Sequence, residues 1–128
     1  MTPSRIRALI VDDEPHVRQY LNLVLKTLGV EDAAQAGGLE EARVVHARTP
    51  CDLILLDLNL PGEGGMAWLR ELRAADDEAV VVMVSSQAGS ASVLEAAQLG
   101  ADGYLRKDMR REELGSELAR ILADTFGN

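Results

Sequence analysis

The chain has 128 residues, of which 47% are apolar and 27% are charged, and it contains one cysteine. This length is typical of one domain, and the composition is that of a globular protein whose core needs no disulfide. The net charge of −8 argues against direct binding of nucleic acid or of an anionic membrane surface. Because Cys51 is alone and neither a signal peptide nor a membrane span is evident, we expect a cytoplasmic protein.

Short apolar runs alternate along the chain with segments of helical periodicity. The runs predict five strands, at residues 8–11, 32–36, 53–56, 80–84 and 103–106. The periodic segments predict five helices, at residues 17–28, 39–48, 66–72, 93–99 and 114–122.

Most of the predicted strands are apolar on both faces, which is typical of a parallel sheet covered by helices on each side. The run at residues 32–36 is weaker and fits an edge strand. No linker or low-complexity segment divides the chain. We therefore predict a single domain over residues 1–128 with a doubly wound α/β fold.

Polar side chains directly follow four of the five predicted strands. Asp12 and Asp13 follow the first strand and Asp57 the third. Ser85 follows the fourth strand and Lys107 the fifth. Because the carboxyl ends of parallel strands share one edge of a sheet, where ligands bind, we expect these side chains to converge.

Each of these residues also has a simpler structural role. Asp13 or Glu14, just before a proline, is typical of the start of a helix. Asp57 could form a turn, Ser85 could precede a helix, and Lys107 could be a solvated surface charge. Only their joint placement at four strand ends favours a common site.

Three carboxylates at one edge cannot all stay ionised without compensating charge. Lys107 supplies one positive charge, and a hard cation such as Mg²⁺ is the natural complement to oxygen ligands. An aspartate beside a metal can act as a nucleophile towards phosphorus and form an aspartyl phosphate. No histidine or cysteine is positioned for hydrolytic catalysis. The residues therefore predict a site that receives a phosphoryl group, in a protein that is not an enzyme with multiple turnover.

Asp12, Asp13, Asp57, Ser85 and Lys107, in this order at these strand ends, resemble the receiver domain of two-component response regulators. The resemblance covers essentially the whole chain. It implies a flavodoxin-like sheet with the strand order 2-1-3-4-5 and a phosphorylation-controlled signalling switch.

The resemblance also implies a role for each site residue. Asp57 would be the phosphoacceptor. Asp13, Asp57 and the backbone carbonyl of Asn59 would bind Mg²⁺ directly, and Asp12 would act largely through water. Lys107 would pair with the phosphoryl group or with Asp57.

Two further residues would form the switch. Ser85 would hydrogen-bond a phosphoryl oxygen, and Tyr104 would turn inward as Ser85 moves, changing the surface of the fourth helix, fifth strand and fifth helix. Tyr104 could instead be a ring half-packed at the sheet edge. Asn59 and Gln87 lie where the family tunes self-dephosphorylation.

Asp108 follows Lys107, whereas most receivers have proline at this position. The Lys-Asp pair resembles the branch whose receivers precede a helix-turn-helix DNA-binding domain. The implied partners are a sensor histidine kinase or phosphotransfer protein, an output domain beyond residue 128 and, after phosphorylation, a second copy of the chain. The departure leaves the geometry of this loop and the dimer mode open.

Two other functions are weaker alternatives. A phosphatase of the haloacid dehalogenase type needs a second aspartate two residues after the nucleophile, where this chain has Asn59. An inert receiver-like module usually lacks one of the acids or the lysine, and this chain keeps all of them. Of the remaining residues, we expect His16 and His46 to be solvated and Trp68 to serve packing.

Overall fold

The structure is a computed structural model that describes residues 2–86 and 90–127; Gln87 lies outside these ranges. The strands are β1 (Arg7–Val11), β2 (Asp32–Ala36), β3 (Leu53–Asp57), β4 (Val80–Ser85) and β5 (Gly103–Arg106). The helices are α1 (Pro15–Thr27), α2 (Leu39–Arg48), α3 (Gly65–Ala74), α4 (Ser90–Gln98) and α5 (Arg111–Phe126). Within the described ranges, no helix combines the length and the apolar character needed to cross a membrane.

The five strands form one parallel sheet in the order β2-β1-β3-β4-β5. This confirms both the doubly wound fold and the flavodoxin-like strand order. The weak second run is an edge strand, as predicted. Strands β3 and β4 each extend one residue further than predicted, so Asp57 and Ser85 are the last residues of these strands and do not follow them.

The core consists of two apolar layers, one on each face of the sheet. Helices α1 and α5 cover one face and contact side chains such as Ile10 and Leu55. Helices α2, α3 and α4 cover the other and contact the alternate residues, such as Leu9 and Ile54. Since every residue of the central strand β3 is buried, its end is held rigidly between the two layers.

Helix α4 leaves two large apolar side chains at the surface. Val93 and Leu94 are 40% and 59% exposed. Among residues 92–98 of α4, the buried one is the small Ala96, while Leu99 lies beyond the end of the helix and packs against the core. Short side chains bring α4 onto the sheet, and its larger ones are left at the surface.

The prediction that His46 is solvated is wrong. Its side chain is only 12% exposed, and Nε2 lies 2.7 Å from Asp77 Oδ2. Nδ1 accepts a hydrogen bond from the Cys51 N–H at 3.0 Å, and the ring packs edge-on against Trp68. Burial opposes ionisation of Asp77, but hydrogen bonds from His46 and Ala79 hold its pKa below the ordinary value. Trp68 is buried and serves packing, as predicted, whereas His16 is exposed.

Arg73 fastens the end of α3 to the loop that follows α4. Its Nε donates to the carbonyl of Gly100 at 3.0 Å, and Nη2 donates to Asp102 Oδ2 at 3.1 Å. Nη1 donates to the carbonyls of Asp77 and Ala79. One guanidinium therefore joins the carboxyl ends of two helices at the edge of the sheet opposite the predicted site.

The amino end of α3 lies directly against the end of β3. A Cβ atom added at Gly65, the first residue of α3, would be 2.3 Å from the carbonyl oxygen of Asp57. This atom belongs to the backbone, so only a shift of α3 or β3 could make room. Glycine is therefore required for the helix to begin this close to Asp57.

The Gly65→Ala variant should be less stable by about 1–3 kcal/mol, because the added methyl overpacks the contact with β3. Urea unfolding followed by Trp68 fluorescence or circular dichroism measures this difference. Gly115→Ala is the matched control: Gly115 lies within α5 and nothing stands within 4 Å of an added Cβ. That variant should be more stable by about 0.5–1 kcal/mol. Equal stabilities for the two variants would contradict the steric account.

Candidate functional site

Two buried carboxylates lie at the carboxyl ends of the neighbouring strands β1 and β3. Asp12 follows β1 and Asp57 ends β3, and the two residues are 0% and 1% exposed. The exposed Asp13 brings a third carboxylate, and one oxygen from each of the three lies within 4.8 Å of the others. The strand ends thus place three acids around one small volume, which we call the acidic pocket.

Each buried carboxylate is oriented by a backbone amide two residues later. Asp12 Oδ1 accepts a hydrogen bond from the N–H of Glu14 at 2.8 Å, and Asp57 Oδ1 accepts one from the N–H of Asn59 at 3.0 Å. A hydrogen bond from the backbone N–H two residues later to an aspartate side chain forms an Asx turn, which is typical of this residue. These two turns leave Oδ2 of Asp12 and of Asp57 buried, and no backbone amide in the described part of the chain donates to either atom.

Lys107, directly after β5, supplies positive charge to the acidic pocket. Its Nζ lies 2.8 Å from Asp12 Oδ2 and 3.3 Å from Asp57 Oδ2, within ion-pair distance of both. Its position is set by a hydrogen bond from its backbone N–H to the carbonyl of Ser85, at 2.7 Å. The fold therefore brings Asp12, Asp13, Asp57 and Lys107 together from three strand ends.

The pKa shifts follow from this burial and crowding. Burial raises the pKa of Asp57 above its ordinary value, and the charge of Asp12 adds to the rise. The Asn59 N–H and the Lys107 ammonium act in the opposite direction without cancelling it. Burial by itself lowers the pKa of Lys107, but Asp12 and Asp57 outweigh it, so the ammonium form is favoured. An unliganded Asp57 is thus costly to keep ionised.

Ser85 and Asn59 lie together beside the acidic pocket. Ser85 is 1% exposed, and its hydroxyl donates to Asn59 Oδ1 at 3.3 Å. Tyr104 lies on the last strand, paired with Met83, and its ring is partly buried against the layer formed by α2, α3 and α4. Both predicted switch residues are thus on adjacent strands, with Ser85 at the pocket and Tyr104 nearer to α4 and α5.

Two residues near the acidic pocket were not assigned from the sequence. The guanidinium of Arg18 donates to the backbone carbonyl of Asp12 at 2.7 Å and fastens the β1–α1 loop to the first helix. Glu14 directly precedes α1 but makes no capping hydrogen bond with its side chain; its Oε1 accepts a hydrogen bond from Lys107 at 3.3 Å. Lys107 is 93 positions away, so no local spacing indicates this contact.

Asp108 does not displace its neighbour from the acidic pocket. Its carboxylate is exposed and pairs with Arg106 Nε at 3.0 Å. The Met109 N–H bonds back to the carbonyl of Arg106, forming a turn around the two residues between them. The Lys-Asp pair is therefore compatible with a lysine that points inward.

The donor set of the acidic pocket fits a hard divalent cation. All candidate ligand atoms are oxygens, and two of them, Oδ2 of Asp12 and of Asp57, are buried and share the Lys107 ammonium. One ammonium does not neutralise three clustered carboxylates, so the acidic pocket has room in its charge balance for a cation. Carboxylate oxygens in a small, partly open site suit Mg²⁺.

Replacing Asp57 should stabilise the metal-free chain. Folding raises the pKa of Asp57, so the folded chain binds more protons than the unfolded chain as pH rises above about 4, the ordinary aspartate value. This carboxylate therefore lowers stability as pH rises through that window. Without Mg²⁺, Asp57→Asn should gain about 1 kcal/mol near neutral pH, and the gain should shrink towards about pH 4.

Chemical unfolding at the two pH values measures the effect, with Asp13→Asn as the control. That variant removes a charge from the same cluster, but Asp13 is exposed, so its gain should be smaller. A less stable Asp57→Asn variant at neutral pH would contradict the burial argument.

Comparison with known proteins places these features in a family. Residues 8–119 match the model of the response regulator receiver domain. The DNA-binding response regulator MtrA of Mycolicibacterium smegmatis is 36% identical over 123 residues, which are 96% of this chain and 52% of that protein. The chain thus spans about half the length of this curated relative.

Solved structures agree with the sequence match. A LuxR-family two-component response regulator from Aurantimonas sp. is 34% identical, with a TM-score of 0.83 over 93% of this chain and 86% of that one. Chemotaxis protein CheY4 of Vibrio cholerae is 25% identical, with a TM-score of 0.80 over 91% of this chain and 98% of that one. With its strand order, its acidic pocket and these similarities, the chain belongs to the response regulator receiver domain family.

Proposed function

We propose that this domain accepts a phosphoryl group on Asp57 and uses it to control an output domain or a partner. The observation that carries this proposal is the position of Asp57 Oδ2, which is buried at the acidic pocket and lies 3.3 Å from the Lys107 ammonium that it shares with Asp12. Its other oxygen is already held by the Asn59 N–H. One oxygen is thus fixed and the other is available for bonding to phosphorus.

In the proposed reaction, a carboxylate oxygen of Asp57 attacks the phosphorus of the donor. A P–N bond to a phosphohistidine, or the P–O bond of a small acyl phosphate, breaks as the new O–P bond forms, and the leaving group takes the electron pair. The Lys107 ammonium offsets charge on the phosphoryl oxygens, and the Ser85 hydroxyl donates to one of them.

Asp12, Asp13, Asp57 and the backbone carbonyl of Asn59 are the proposed Mg²⁺ ligands, with Asp12 acting largely through water. The chemistry that the bound ion supplies is neutralisation of the carboxylates and of the incoming phosphoryl oxygens. The buried Oδ2 atoms of Asp12 and Asp57 support this assignment.

The proposed output is a change in the surface formed by α4, β5 and α5. Ser85 leaves Asn59 for the phosphoryl group, and Tyr104 turns inward on the adjacent strand. In support, Val93 and Leu94 of α4 are exposed, and a groove of about 320 Å³ runs between α4, β5 and α5 beside Tyr104. A two-state shift there would change the apolar surface offered to a partner.

The proposed partners follow from the family. A sensor histidine kinase or phosphotransfer protein supplies the phosphoryl group, and a DNA-binding output domain beyond residue 128 receives the signal. In support, the relative MtrA is named a DNA-binding response regulator. A second copy of the phosphorylated chain is a further proposed partner. The domain itself has no multiple turnover beyond slow self-dephosphorylation and acts in the cytoplasm.

Incubation with acetyl phosphate and Mg²⁺ should add one phosphoryl group to the chain. Intact-mass spectrometry should detect it, and the adduct should be labile to hydroxylamine, as expected for an acyl phosphate. Asp57→Asn should remain unmodified, while Asp52→Asn, at the opposite end of β3, should be modified like the wild type. Phosphorylation of the Asp57→Asn variant would show that the acceptor is another residue.

Mg²⁺ should stabilise the wild-type chain against thermal unfolding. At a Mg²⁺ concentration ten times the dissociation constant, the free energy of unfolding should rise by about 1.4 kcal/mol, because the ion binds the folded chain alone. Asp12→Asn and Asp57→Asn should lose most of this gain, and Glu40→Gln, an exposed acid on α2, should keep it. Differential scanning calorimetry in a magnesium series tests the assignment, and equal gains in all four proteins would refute it.

A further inference from the structure

The side chain of Glu14 is directed at the acidic pocket and not at its own helix. Glu14 precedes Pro15, the first residue of α1, yet its carboxylate makes no capping hydrogen bond. Its Oε1 accepts a hydrogen bond from Lys107 Nζ at 3.3 Å, and its Oε2 lies 3.7 Å from Nε2 of the exposed His16. The simple role of a helix cap therefore does not account for this acid.

Lys107 is shared among three carboxylates of different accessibility. Its ammonium lies 2.8 Å from Asp12, 3.3 Å from Asp57 and 3.3 Å from Glu14. The side chains of Asp12 and Asp57 are each 1% exposed, whereas that of Glu14 is 47% exposed. Water can replace Lys107 as a partner of Glu14, but it cannot do so for the two buried acids.

We propose that Glu14 is a positioning residue that restrains Lys107 at the mouth of the acidic pocket and thereby slows phosphorylation by small anionic donors. This inference rests on the proposed phosphorylation of Asp57. The hydrogen bond to Glu14 must break, or lengthen, for the ammonium to turn fully towards a phosphoryl oxygen. The same carboxylate adds negative charge beside Asp13, where a small anionic donor enters.

The hydrogen bond to Lys107 and the negative charge of Glu14 both lower the rate of phosphorylation, and both effects are small. A half-exposed ion pair holds Lys107 only weakly, so its release delays the reaction without preventing it. A donor carried by a protein would bring its own contacts to overcome the delay, whereas a small donor such as acetyl phosphate has none. Glu14 would therefore favour a protein-bound donor over free acyl phosphates.

The Glu14→Gln variant tests the restraint, because glutamine keeps the length of the side chain and its accepting oxygen but removes the charge. Its initial rate of phosphorylation by acetyl phosphate and Mg²⁺ should be about two to five times that of the wild type at low ionic strength. The gain should shrink near 1 M salt, where the Debye length is only about 3 Å. Glu31→Gln makes the same change in net charge at an exposed position before β2, at the opposite end of the sheet from the pocket, and should react at the wild-type rate.

A second measurement does not depend on phosphorylation. The chain contains two lysines, Lys26 and Lys107, so ¹⁵N-lysine labelling gives a spectrum in which the exposed Lys26 serves as the internal reference. In the metal-free protein, Glu14→Gln should shift the Lys107 Nζ resonance and leave that of Lys26 unchanged.

The outcomes separate this inference from the proposed function. A wild-type rate for Glu14→Gln, a slower rate, or an unshifted Lys107 resonance would each overturn the role of Glu14. The double variant Glu14→Gln/Asp57→Asn should stay unmodified. If it is labelled, the proposed acceptor is wrong, whatever Glu14 does. A faster rate in Glu14→Gln alone, together with the shifted resonance, supports the restraint.

Discussion

The structure depends on a balance of charge at the buried ends of β1 and β3. Asp12 and Asp57 are removed from water almost completely, and within the described ranges both pair with the same Lys107 ammonium. Backbone amides bind one oxygen of each acid, and the other oxygen of each lies beside that shared ammonium. Such an arrangement is poorly satisfied by protein groups alone. Its stability and its chemistry both depend on what else enters the pocket.

The fold maintains this unfavourable cluster by surrounding it with rigid apolar packing. Two layers of side chains enclose the sheet, and β3 is buried along its whole length. Gly65 brings α3 against the carbonyl of Asp57, and Arg18 fastens the loop that carries Asp12. Because both carboxylates are buried and bound by backbone amides, water does not relieve the cost of crowding. The packing energy of the domain thus supports a site that is costly by itself.

The sequence predicts the architecture well because its strongest patterns are those that packing imposes. Strands apolar on both faces imply a covered parallel sheet, and polar residues at strand ends imply a shared edge, so the meeting of Asp12, Asp57 and Lys107 could be anticipated. Contacts that depend on the direction of a side chain could not be anticipated. The burial of His46 beside Asp77, the exposure of Leu94 and the bond between Glu14 and Lys107 each join segments whose relative orientation no periodicity encodes.

Arg73 has a mechanical consequence for the surface around α4. By bonding to Gly100 and Asp102, it anchors the helix just beyond its carboxyl end. Tilting about such a pivot moves the far end most, and nine residues make a lever arm of about 13 Å. The amplitude of any displacement therefore grows towards the end nearest Ser85 and fades towards α3. Val93 and Leu94 lie near the middle of α4, so they would move by an intermediate distance and change their orientation towards a bound partner.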